Sequence, residues 1–169
     1  MSDAARFPSI REIDWSRWTP VERATLLFVI KDGRVLLIHK KKGLGAGKIN
    51  GPGGRVDRGE TPRQAAIREV EEELLVTPTG VTEAGELMFQ FTNNHSIHGY
   101  VFTATDCRGE PQETSEATPI WIPTAELPYH RMWADDRVWM PVMLAGKKFT
   151  GRFLFDDDQM LGCEMEVGS

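Results

Sequence analysis

The sequence predicts an α/β domain, a mixed β-sheet flanked by helices. Three observations carry that expectation. Short apolar runs separated by turn signals recur along the chain, as strands do. A segment among them has helical periodicity and a clear start signal. The order of elements is strands, helix, strands, helix, which suits a sheet covered by helices. With 169 residues, the chain can enclose one full core but not two ordinary domains. Its 40% hydrophobic and 27% charged content match a globular protein.

Residues 1–22, with Trp15, Trp18 and Pro20, read as an N-terminal extension before a domain spanning 23–169. The tryptophans are expected to pack on the domain body in preference to forming an interface. Strands are expected at 24–30 and 34–39, joined by the hairpin signal Lys31-Asp32-Gly33. A loop rich in glycine and lysine fills 40–52. The helix that follows is marked by Thr61 as N-cap, Pro62 at the first helical position and Gln64 closing a capping box. At roughly 100° per residue, Ala66, Ile67, Val70 and Leu74 form its apolar stripe. Glu69 and Glu73 fall at the edge of that stripe, whereas Arg68, Glu71 and Leu75 point away. A second strand pair is expected at 86–91 and 98–105 around Asn93-Asn94, then a short strand at 118–122 running into Pro123. A second helix over 136–145 would have to accommodate Pro141. Strands at 149–155 and 161–167 close the chain as a hairpin around Asp156-Asp157-Asp158.

Bulk properties narrow the function. A net charge of −5 argues against a polymeric nucleic-acid partner, which calls for a basic surface. No apolar run approaches a membrane span, and no signal-peptide pattern opens the chain. The two cysteines, Cys107 and Cys163, supply neither a disulfide framework nor zinc spacing, so a reducing cytoplasm is the expected location. The histidines His39, His95, His98 and His130 show no ligand spacing. The expected partner is a small molecule, and the expected assembly is a monomer or small homo-oligomer.

Chemistry concentrates in the first helix. Glu69, Glu72 and Glu73 stand at i, i+3 and i+4, so a helix projects all three from one side. Clustered like charges repel and call for a counter-charge. For carboxylate oxygens a hard divalent cation serves, Mg²⁺ first and Mn²⁺ as a substitute. Gly53 and Gly54, just upstream, allow close backbone approach to a ligand or mark a simple turn. Lysines of the 40–48 loop either meet phosphate oxygens or form a solvated basic loop.

The segment from Gly54 through Glu60 to Arg68-Glu69-Val70-Glu71-Glu72-Glu73 resembles the Nudix box, G-x5-E-x7-R-E-U-x-E-E-x-G-U with U bulky and aliphatic. Eight of its nine defined positions match; Leu75 replaces the late glycine, which puts the end of the helix in question. The resemblance implies an α/β/α sandwich. It also implies that Glu69, Glu72 and Glu73 are catalytic metal ligands or base, that a carbonyl of Gly53 or Gly54 joins them, and that Glu60 and Arg68 form a structural pair. More narrowly, KKKGLGAGKINGPGG at 40–54 and MWADDRVWMPVMLAGKKFTGRFLF at 132–155 resemble the MutT homologues that hydrolyse oxidised purine nucleoside triphosphates. That likeness spans roughly 24–167. It implies that Asn50 bonds the purine, Trp133 and Phe89 stack on it, Asp135 and Asp136 read its edge, Lys40 lies near the nucleotide, and Glu116 approaches the metal. Leu44 stands where the best-known members have phenylalanine. Adjacent carboxylates facing one base would share a proton, giving one donor and one acceptor. From residue type alone, Asp135 and Asp136 could instead cap the second helix, and Trp133 and Phe89 could be core.

The activity so implied is Mg²⁺-dependent hydrolysis of substrates such as 8-oxo-dGTP to the monophosphate and pyrophosphate, which would sanitise the nucleotide pool. A pyrophosphatase of ordinary dGTP or of another nucleoside diphosphate derivative is the alternative within enzymes. A nucleotide sensor without turnover is the alternative outside them, and the intact acids speak against it.

Overall fold

A computed structural model of the protein describes residues 9–168. The two hairpins expected at either end of the chain form. Strands β1 (Glu22–Lys31) and β2 (Arg34–Lys40) turn through Asp32 and Gly33, both at positive φ, as the two-residue turn between twisted strands demands. Strands β10 (Phe149–Asp156) and β11 (Gln159–Val167) turn through Asp157, also at positive φ. The middle pair is β6 (Thr82–Phe91) and β7 (Ser96–Ala104), and β9 covers Ala117–Pro123. Four short strands were not expected. They are β3 (Ile49–Asn50), β4 (Gly53–Arg55), β5 (Thr77–Thr79) and β8 (Asp106–Arg108).

Among the described residues, one sheet runs β11-β10-β6-β7-β1-β2-β3, with β4 added on β1 and β9 on β2. It is mixed as expected: β1 lies parallel to β7 and β10 parallel to β6, while the other neighbours are antiparallel. Helix α1 (Pro62–Leu74) buries Ala66, Val70 and Leu74 against Leu27, Val29, Leu36 and Ile38. Helix α2 (Asp136–Leu144) buries Trp139, Met140 and Met143 in a separate core with Phe28, Phe149 and Phe153. The two cores give an α/β/α sandwich. Pro141 sits inside α2 and removes one possible bond to the Arg137 carbonyl; the helix continues to Leu144.

The start and end of α1 have different causes. At its start Thr61 Oγ1 accepts from Gln64 N and Gln64 Oε1 accepts from Thr61 N, the full reciprocal box. At its end Leu75 adopts φ 59° and ψ 34°, the left-handed geometry that glycine favours. The helix therefore stops where a glycine would stop it, with a leucine that is 54% exposed. Leu75→Gly is expected to stabilise the fold by about 0.5–1 kcal/mol, read as a higher urea midpoint with an unchanged m-value.

The described part of the N-terminal extension packs on the sheet, as expected. Trp18 Nε1 donates to Gln90 Oε1 at 2.9 Å, and the ring lies near His98 and Trp15. Residues 1–8 and 169 of the expected extension and domain fall outside the described residues.

Candidate active site

Helix α1 and strand β4 place the acidic residues beside the glycines. Gly53 pairs with Leu26 on β1, and an added Cβ there would lie 1.9 Å from the Thr25 carbonyl oxygen. A Cβ on Gly54 would fall 2.4–2.6 Å from the carboxylate atoms of Glu69. The turn reading alone does not account for this; the absent side chains make room for the strand and the acid. Glu73 is 3% exposed, and its Oε1 accepts from Gly53 N at 2.9 Å. Burial raises its pKa to about 8, against the lowering effect of the Gly53 N–H and of Lys40. Burial also raises Glu69, opposed by Arg68. The charge of Glu116, held just before β9, acts on both acids in the same upward direction.

The counter-charge expected from a metal is supplied in part by the chain itself. Arg68 does not point away. Its guanidinium donates to Glu69 at 2.9 Å, Glu72 at 3.2 Å and both oxygens of Glu60 at 2.7 and 2.9 Å. It also donates to the Arg55 carbonyl at 3.0 Å. Helical periodicity alone misplaced it, because a long side chain at the stripe's far edge can fold back over the preceding loop. Glu60 and Arg68 are thus paired across the loop. The Arg68 bond, then the Asp57 N–H, hold the Glu60 carboxyl down to about 2. No group of three or more His, Cys, Asp or Glu side chains converges for metal binding among the described residues. The donor set nonetheless fits a hard cation: Glu73 is a buried carboxylate that, among the described residues, accepts one hydrogen bond, and the Gly54 cradle keeps a side chain off Glu69.

The residues expected to read the purine meet in a cavity of about 350 Å³. Lys40, Asn50, Phe89, Trp133, Asp135 and Asp136 all line it. Gly53, Gly54 and Glu73 line the same cavity, so one space brings together two kinds of chemistry. Glu69, Glu72 and Glu116 are not part of that lining. Asn50 Nδ2 donates to the carbonyls of Gly45 and Lys48 at 3.3 and 3.0 Å, which leaves its side-chain oxygen to accept from a ligand. Phe89 stacks on Phe153 with centroids 5.4 Å apart. Leu44, 52% exposed, stands at the rim.

Asp135 and Asp136 are buried at the start of α2, yet Asp135 makes no side-chain capping bond. Its Oδ2 instead accepts from Trp139 Nε1 at 2.7 Å. Burial raises Asp135 to about 6, and raises Asp136 well above the usual carboxyl range with further help from the neighbouring charge of Asp135. The Trp139 N–H favours the ionised form of Asp135, so Asp136 holds the shared proton. The pair is a donor and an acceptor side by side. Sequence reading missed Trp139, although its i, i+4 spacing from Asp135 was visible. It also missed Phe155, which lines the cavity and meets Trp133 edge-on at 5.7 Å. Its period-2 spacing with Phe153 was the available signal.

The family model of the NUDIX domain matches residues 13–143. The chain belongs to the Nudix family. A zebrafish (Danio rerio) oxidized purine nucleoside triphosphate hydrolase is 42% identical over 81% of this chain and 88% of the relative. The mouse (Mus musculus) protein of the same name is 37% identical over the same shares. The crystal structure of a MutT protein from Bacillus halodurans superposes with a TM-score of 0.77, covering 86% of this chain and 98% of that one, at 23% identity; this likeness concerns the fold. The protein is a Nudix hydrolase, of a family that generally uses a divalent metal. No helix among the described residues is long and apolar enough to cross a membrane.

Proposed function

We propose that this Nudix hydrolase cleaves oxidised purine nucleoside triphosphates such as 8-oxo-dGTP, releasing the monophosphate and pyrophosphate, in the cytoplasm and with Mg²⁺. One observation carries the reading: a single cavity is lined both by the Asp135–Asp136 pair and by Gly53, Gly54 and Glu73. A purine held by the first group can extend its phosphates toward the second. The names of the zebrafish and mouse relatives support the same substrate class.

Asn50 offers an acceptor, Asp136 a donor and Asp135 an acceptor to the base edge, while Trp133 and Phe89 provide aromatic surfaces. Lys40, close enough to act on Glu73, meets the phosphate chain as a point charge. Glu69, Glu72 and Glu73, with a carbonyl of Gly53 or Gly54 and with Glu116, would hold the cation. When bound, the cation screens phosphate charge and lowers the pKa of a coordinated water. Arg68 positions Glu69 and Glu72 before it binds.

The test is pyrophosphate release from a panel of purine triphosphates with Mg²⁺ and then with EDTA. Faster turnover of 8-oxo-dGTP than of dGTP at low substrate, abolished by EDTA, is expected. Equal rates on the two would remove the selectivity for oxidised bases, and no product from any triphosphate would remove the enzyme reading.

A further inference from the structure

Trp133 lies on the irregular connection between the 3-10 turn Tyr129–Arg131 and α2, where no strand ladder fixes it. Its ring is held by neighbours from two other parts of the chain. Phe155 meets it edge-on, and the ammonium of Lys48 stands 5.4 Å from the ring centroid. Lys48 is not in the cavity lining, so that cation rests on the indole from outside the cavity. Its Nζ also lies 3.5 Å from Asp158 on the β10–β11 turn. The loop approaches so closely that a Cβ on Gly45 would sit 2.8 Å from Trp133 Nε1. Gly45 already has φ +84°, so a side chain there is disfavoured twice.

The backbone of the same lysine reaches two further cavity residues. The Lys48 carbonyl accepts from Asn50 Nδ2 at 3.0 Å and from Lys40 N at 3.2 Å. The neighbouring Lys41 turns elsewhere, to Glu113 and the Thr114 carbonyl. Lys48 therefore does not serve as one of several interchangeable phosphate contacts in a basic loop. A half-buried cation on an aromatic face, anchored beyond it by a carboxylate, restrains the ring's rotation.

We propose that Lys48 is a positioning residue that clamps the Trp133 indole as the stacking wall of the cavity, with Asp158 as its anchor. The proposal rests on reading Trp133 as a wall for the base. It adds that the wall's orientation is set from outside the cavity by a charged side chain that touches no substrate. Removing the charge should free the ring and weaken ground-state binding while leaving the phosphate end untouched.

The experiment compares wild type with Lys48→Met, Lys48→Arg and Asp158→Asn. Steady-state kinetics on 8-oxo-dGTP are measured beside the ¹⁵N heteronuclear NOE of the Trp133 indole in the ligand-free protein, assigned by its loss in Trp133→Phe. Lys48→Met should raise KM about three- to tenfold, keep kcat within about twofold and lower the indole NOE. Lys48→Arg should restore both, and Asp158→Asn should give part of the KM rise. An indole NOE unchanged in Lys48→Met overturns the proposal, as does a fall in kcat at constant KM or failure of arginine to rescue. If the wild type hydrolyses no purine triphosphate, the functional reading fails, yet the NOE still decides whether Lys48 orders Trp133.

Discussion

Replacing Glu73 by glutamine is expected to reduce Mg²⁺-dependent kcat on the order of a hundred- to a thousandfold and, without metal, to make the protein more stable at pH 8. Both results come from one buried carboxylate. Glu73 is 3% exposed, and burial lifts its pKa to about 8. Between the ordinary carboxyl range and pH 8, the folded protein keeps a proton that the unfolded chain has released. Stability therefore falls as pH rises through that window. Glutamine is neutral throughout and still offers an oxygen to the Gly53 N–H, so it removes the slope without leaving the donor unpaired. Melting curves from pH 5 to 9 in EDTA, beside turnover in Mg²⁺, test both halves. A variant that melts lower than wild type at pH 8 would show that Glu73 carries no uncompensated charge. Glu72→Gln is the contrast: Glu72 is exposed and already meets Arg68, so its loss should affect turnover with little change in that slope.

The sequence revealed the parts of this site whose causes are local. Thr61, Pro62 and Gln64 start α1 through bonds spanning three residues, and the capping box is present as expected. The spacing of Glu69 and Glu73 placed them beside the buried stripe, where one is fully buried and the other largely so. What stayed hidden depends on distant partners. Strands β3, β4, β5 and β8 are two or three residues long and exist because β2, β1 and each other offer edges to pair with. The direction of Arg68 depends on where the Asp57–Glu60 loop lands. Leu75 shows the limit from the other side: the rule that glycine ends such a helix was known, but only the fold shows leucine forced into the glycine conformation. Lys48 looked like one of a run of similar cations. Its distinct role appears only when the β10–β11 turn, 110 residues further along, is brought beside it.

Asp135→Asn should lower kcat/KM on an oxidised purine triphosphate on the order of a thousandfold, with no loss of the folded state. Trp139 already takes one oxygen of Asp135, and on the proposed function the other is the acceptor offered to the base. In asparagine the single oxygen would stay with Trp139 and the amide NH₂ would replace the acceptor, setting a donor against a donor on the base. Asp136 holds the shared proton, so Asp136→Asn keeps a donor in place and should cost much less, on the order of tenfold. The pH dependence separates the two further. Wild-type KM should rise below about pH 6, where Asp135 gains a proton and ceases to accept. Asp135→Asn should lack that acid limb. Stability points the same way: a carboxyl whose folded pKa is raised loses stability as pH climbs from the ordinary range through 6, so a neutral asparagine should melt at least as high as wild type at pH 7.5. Capping cannot produce this pattern, because the Asp135 side chain makes no capping bond to the backbone at the start of α2. Should both asparagine variants unfold, the pair would be structural, and the proposed reading of the purine edge would lose its paired donor and acceptor.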